Sequence, residues 1–145
     1  MINRIDHINI VVSDLKKAKD FFVLLGFEAA PEAELSGQWI SEVVGLIEVE
    51  AKYTALCHPG SKVSIELIHY LSPQPESAPK ANKPNILGLR HLAFTVDDID
   101  SMVSKLQAEG IQFLSEVKTY PVTGKKIIYF KGPDDIILEL AEYPN

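Results

Sequence analysis

The sequence predicts an α+β fold in which two βαβββ modules form one curved half-barrel sheet with the helices outside. Three observations carry this. Residues 4–12 alternate apolar side chains with period two, as a strand does. The next stretch switches to helical spacing, with Leu15, Ala18, Phe22 and Leu25 on one face. The whole unit then recurs: Leu89 to Ile111 lies on Ile5 to Phe27 without a gap, pairing His7 with His91, Val12 with Val96, Asp14 with Asp98, Leu15 with Ile99, Phe22 with Leu106 and Gly26 with Gly110.

Taken in order, the first strand places Ile8, Ile10 and Val12 on one face and Ile5, His7, Asn9 and Val11 on the other. Ser13-Asp14 supplies the N-cap of the first helix and Gly26 ends it. A short strand is expected from Phe27, followed by a polar stretch with Pro31 and Gly37. Residues 38–45 are compatible with a short helical turn, but their pattern does not decide it. Residues 46–57 and 62–71 read as two strands joined across His58-Pro59-Gly60-Ser61. Four prolines, Pro73, Pro75, Pro79 and Pro84, make 73–86 a linker between a first module at 1–72 and a second at 87–145, the whole forming one compact domain. In the second module Asp97 or Asp98 caps a helix with core positions Ile99, Met102, Val103 and Leu106. Strands follow at about 112–118, 125–131 and 135–142, with Gly132-Pro133-Asp134-Asp135 as the turn before the last.

Composition narrows the function classes. A chain of 145 residues with 46% hydrophobic content can bury a core. Its net charge of −6 and scattered Lys and Arg give no footprint for nucleic acid. No apolar run approaches the roughly 18 residues needed to span a bilayer. Cys57 stands alone, so no intrachain disulfide forms, and a cytoplasmic location is expected.

Four residues stand out against the apolar pattern: His7 and Glu66 in the first module, His91 and Glu139 in the second. Each lies on the strand face opposite the helix-packing residues, for Glu66 opposes Ile65 and Leu67 and Glu139 opposes Leu138 and Leu140. A charge among apolar neighbours is costly without a partner, and two imidazoles with two carboxylates make a ligand set for one divalent ion. Imidazole suits Zn, Ni, Fe or Co, and the carboxylates extend the choice to Mn or Mg. His58, in a turn, and His69 and Glu142, of opposite parity, are expected to take no part.

The arrangement resembles the vicinal oxygen chelate superfamily, which includes glyoxalase I, methylmalonyl-CoA epimerase, extradiol dioxygenases, and fosfomycin and bleomycin resistance proteins. The likeness rests on Asp6-His7-Ile8, Ser64-Ile65-Glu66-Leu67, the run from Gly88 to Ile99, and Gly132-Pro133-Asp134 leading to Leu138-Glu139-Leu140. It implies His7, Glu66, His91 and Glu139 as ligands of one divalent ion (Zn, Ni, Co, Mn or Fe), a small-molecule substrate and a homodimer. The His, Glu, His, Glu set looks like glyoxalase I, whereas the second half, through Glu142-Tyr143-Pro144-Asn145, looks most like the epimerases.

The chemistry that the resemblance implies is that of a metal-dependent lyase or isomerase, moving a proton next to a metal-bound carbonyl. Glu139 is the first expected base and Glu66 the second. Glu48 and Glu50 are weaker candidates for a second acid, and Asn9, Thr95 and Tyr129 for orienting substrate. An extradiol-type Fe(II) dioxygenase is the first alternative, although Glu66 would fill a position that oxygen chemistry needs open. The second is a resistance protein that binds or modifies an antibiotic. No Lys or Arg cluster distinguishes a glutathione thiohemiacetal from an acyl-CoA ester, since Arg4, Arg90, Lys125 and Lys126 are ordinary in number and spacing.

Overall fold

The computed structural model describes residues 1–76 and 83–144. Residues 77–82 of the expected linker, and Asn145, lie outside the described residues. The chain divides into two compact units, 1–77 and 78–145. Among the described residues no helix is long and apolar enough to cross a membrane.

The first unit runs β1 (His7–Val11), α1 (Leu15–Leu24), β2 (Glu28–Ala29), β3 (Ala33–Ser36), α2 (Gln38–Val44), β4 (Glu50–Cys57) and β5 (Ser64–Ser72). Its sheet has the order β1-β5-β4-β2, with β3 also paired to β4. β1 runs parallel to β5, and the other pairs are antiparallel. The Asp14 carboxylate accepts a hydrogen bond from the Lys17 backbone N–H, which fixes the start of α1 where the sequence predicts it. Leu15, Ala18 and Phe22 are buried on α1, which packs against β4 and β5. Phe22 meets Phe27 edge to face at 5.6 Å between ring centres.

One part of this unit departs from a plain βαβββ module. β2 and β3 lie one after the other along the same edge of β4, and α2 is inserted between β3 and β4. Ile40 of α2 packs with Val49, Ala51 and Ile68, and Leu35, Tyr53 and Tyr70 close around them. Ile68 shares a strand face with Glu66, and Ala51 and Tyr53 share it through the β4–β5 register. The insertion therefore covers one end of the sheet face that carries Glu66.

The second unit runs β6 (His91–Thr95), α3 (Ile99–Ala108), β7 (Lys118–Thr119), β8 (Lys126–Lys131), a 3-10 turn over Pro133–Asp135 and β9 (Ile137–Glu142). Its sheet order is β6-β9-β8-β7, with β6 parallel to β9. Asp98 caps α3 by accepting from the Ser101 N–H. The Glu142 side chain adds a second acceptor there, taking a 2.7 Å hydrogen bond from the Ile99 N–H. Ile99, Leu106, Phe130 and Leu138 are fully buried. The turn into β9 needs a glycine for room: a Cβ on Gly132 would lie 2.9 Å from side-chain atoms of both Ile136 and Leu138. Asp134 and Asp135 then take left-handed backbone angles, φ 53° and 61°.

Candidate metal centre

The four residues singled out in the sequence occur in the structure as two pairs, one in each unit. In the first, β1 lies parallel to β5 with His7 opposite Ser64, two residues before Glu66. In the second, β6 lies parallel to β9 with His91 opposite Ile137, two residues before Glu139. The offset is the same, so each imidazole reaches diagonally to a carboxylate on the neighbouring strand. His7 Nε2 is 3.4 Å from Glu66 Oε2 and His91 Nε2 is 3.3 Å from Glu139 Oε2. Among the described residues no group of three or more His, Cys, Asp or Glu side chains is placed to hold a metal ion, and these four residues stand in pairs.

Within each pair the separation suits an ion pair and also two neighbouring ligands of one divalent ion. At 3.3 and 3.4 Å the pairs stand at the long end of a His–carboxylate ion pair. Neighbouring ligands at metal bonds of about 2.1 Å stand about 3.0–3.4 Å apart, depending on coordination geometry. A basic imidazole nitrogen and a carboxylate oxygen facing each other at that range repel unless a cation or proton lies between them. Imidazole and carboxylate are donors acceptable to Zn, Ni, Co, Mn or Fe.

The surroundings of the pairs differ. His7 Nδ1 lies 3.2 Å from Asp6 Oδ2, the kind of outer carboxylate contact that fixes a ligating imidazole's tautomer. Asp6 also pairs with Arg4 at 3.0 Å, and its carboxyl is held below the ordinary range by the His7 contact first and Arg4 second. His7 and Glu66 are partly open, at 41% and 29% side-chain exposure. Glu139 is only 6% exposed, and its other oxygen, Oε1, accepts a 2.8 Å hydrogen bond from Lys125 Nζ. That bond raises the pKa of Lys125. Tyr129, the β8 residue directly opposite Glu139, lays its ring 5.0 Å from the His91 ring. Burial, and then the Glu139 charge, push its phenol up and keep it protonated.

The remaining candidates lie elsewhere. His69 Nδ1 is 3.0 Å from the Val12 carbonyl, and the His58 ring packs on Phe27 while Nδ1 accepts from the Gly60 N–H. Glu142 is occupied by Ile99 and Lys126. Glu48 and Glu50 are exposed, and Glu50 pairs with Ser72 at the far end of β4 from Ala55, the residue opposite Glu66. Asn9 stands opposite Glu66 and, like Thr95, is exposed. Lys125 is the residue of this site that the sequence reading passed over. Its parity with Ile127 and Tyr129, on the strand facing Glu139, was the available signal.

Fold and site together define an α+β protein of two similar units, each presenting a histidine and a glutamate from its parallel strand pair. The family model described as Glyoxalase/Bleomycin resistance protein/Dioxygenase superfamily matches residues 4–140, and the chain belongs to that superfamily. It is 35% identical over 143 residues to the uncharacterised protein YwkD of Bacillus subtilis, covering 98% of each chain. It is 28% identical over 145 residues to the human mitochondrial methylmalonyl-CoA epimerase, covering 97% of this chain and 74% of that one. Among solved structures, a glyoxalase family protein from Bacillus cereus superposes with a TM-score of 0.91 at 31% identity, over 100% of this chain and 97% of the other.

Proposed function

We propose that this protein is a divalent-metal-dependent lyase or isomerase that moves a proton next to the carbonyl of a small substrate, as enzymes of the glyoxalase and methylmalonyl-CoA epimerase type do. The observation that carries the reading is the doubled histidine–glutamate pair. The same register offset and nearly the same N–O separation occur in both units, a spacing that two neighbouring ligands of one metal ion also take. The likeness to an epimerase over most of both chains supports the reaction class.

His7, Glu66, His91 and Glu139 would hold the ion. When bound, it polarises the substrate carbonyl and stabilises the negative charge that builds on its oxygen in the transition state. The protein's own part is proton transfer at a glutamate oxygen. A carboxylate Oε of Glu139 or Glu66 takes the proton from the carbon beside the carbonyl while the C–H electron pair moves toward the carbonyl oxygen. Return of a proton to the opposite face of that carbon gives an epimer, and return to its neighbour gives an isomer. Burial of Glu139 and the packing of Tyr129 on His91 keep water from that side of the second pair.

The test is hydrogen–deuterium exchange at the α-carbon in D2O, followed by NMR, on thiohemiacetals and acyl-CoA esters. Exchange that needs added metal and stops with a chelator supports the reading. Metal-loaded protein that exchanges no α-proton in either class overturns it. Ring opening of a catechol with uptake of oxygen would instead make it an extradiol-type dioxygenase.

A further inference from the structure

The two pairs are copies, but among the described residues only the second has a lysine built against its carboxylate. β8 begins at Lys126, and alternation puts Ile127 and Tyr129 on the Glu139 face, so Lys125, one residue upstream, joins them. Its ammonium lies 2.8 Å from Glu139 Oε1 and 5.4 Å from the centre of the Tyr143 ring. Glu139 Oε2 meanwhile faces His91 Nε2 at 3.3 Å. The two oxygens of one buried carboxylate therefore have different partners.

Among the described residues the first unit shows no such lysine on Glu66. Ala55 occupies the position opposite Glu66 that Tyr129 occupies opposite Glu139. Counting back along the strand, Ala51 stands where Lys125 stands, buried in the small core beneath α2. Among the described residues, the ion pair of Glu66 is with His7.

We propose that Lys125 is a positioning residue that holds Glu139 Oε1, so that Glu139 offers Oε2 alone to the divalent ion. The inference rests on the metal reading above. A glutamate with both oxygens free can chelate, and the second oxygen then takes a coordination position that a substrate oxygen needs. An ammonium on Oε1 prevents this, and it also supplies the partner that a buried carboxylate requires before any metal arrives. Outer contacts of this kind fix the direction of a ligand and raise metal affinity. Glu66, without that anchor, keeps the greater freedom to move between ligand and proton acceptor.

The experiment titrates Co2+ alone into metal-free protein and reads both affinity and the visible absorption per bound ion. K125M keeps the length of the stem and removes the charge, and K125R keeps the charge. Wild-type protein is expected to bind one Co2+ per chain. K125M should bind it about 10–100-fold more weakly, with weaker absorption per ion as chelating Glu139 raises the coordination number. K125R should return both readings toward wild type. A merely structural lysine would change the melting temperature of the metal-free protein and leave the absorption per ion unchanged. K125Q, which keeps a neutral donor, gives the same comparison if K125M does not fold, with an affinity loss in the same direction. Either Co2+ binding by K125M as tight as wild type or tighter, or an absorption per ion unchanged from wild type, overturns the positioning role while leaving the metal reading intact. Absence of Co2+ binding by wild type overturns the metal reading itself.

Discussion

Glu66 and Glu139 occupy the same place in two copies of one strand pair, yet one is 29% and the other 6% exposed. Both could serve in proton transfer, and replacing the carboxylate by an amide separates that role from ligation, because the amide oxygen still donates to a metal. Glu139→Gln and Glu66→Gln are each expected to retain metal better than His91→Ala, and Glu66→Gln to lower α-proton exchange by about 10²–10⁴-fold, with a smaller loss in Glu139→Gln, whose carboxylate Lys125 holds. Exchange at the wild-type rate in either variant, measured by NMR with metal present, removes that glutamate from proton transfer. The candidate ligands were legible in the sequence because a polar residue in an apolar strand, repeated at matched positions, has few structural explanations. Lys125 was not, because a lysine beside a turn reads as surface until the strand register shows which carboxylate it faces.

At the scale of elements, the helices and their first strands were legible because local rules agree: period two gives way to period 3.6 at an aspartate whose side chain caps the helix. The insertion of β3 and α2 was harder to read. α2 has seven residues, starts after Gly37 without a side-chain cap and stops at the left-handed Gly45. The apolar run that follows, Leu46 and Ile47, continues the strand pattern on paper, but Glu48 takes φ 54° and β4 starts only at Glu50. Phe22→Ala, which empties a fully buried site under α1, should cost about 3–5 kcal/mol in urea unfolding. Glu142 ties β9 to the start of α3, and its carboxyl is lowered chiefly by the Ile99 N–H and then by Lys126. A depressed carboxyl stabilises the fold fully above its unfolded pKa, and the contribution fades as pH falls through the folded value. Glu142→Gln should therefore lower the melting temperature at neutral pH and flatten its fall on acidification. An acid limb unchanged from wild type would show that Glu142 contributes nothing to it.

For the molecule as a whole, the repeat makes a prediction about number. Under the proposed function two glutamates bring two negative charges and two neutral imidazoles bring none, so the four candidate ligands would balance a single divalent ion. If both pairs serve one ion, the stoichiometry is one metal per chain, whether the pairs belong to one chain or to two chains of the expected homodimer. Either His7→Ala or His91→Ala should then strip it, since each removes a quarter of one ligand set. Pairs that bound independently would instead hold two ions per chain, and each single substitution would leave one behind. Elemental analysis of purified protein and both variants distinguishes these cases, and a sharp monomer in light scattering would contradict the homodimer. Binding to the folded state alone also stabilises it by mass action, about 2.7 kcal/mol when free metal is 100 times its dissociation constant. Wild-type protein should accordingly melt higher with metal than with chelator, while His7→Ala and His91→Ala should both lose the difference. Persistence of the full metal-dependent shift in either variant would show that the histidine it lacks is not a ligand.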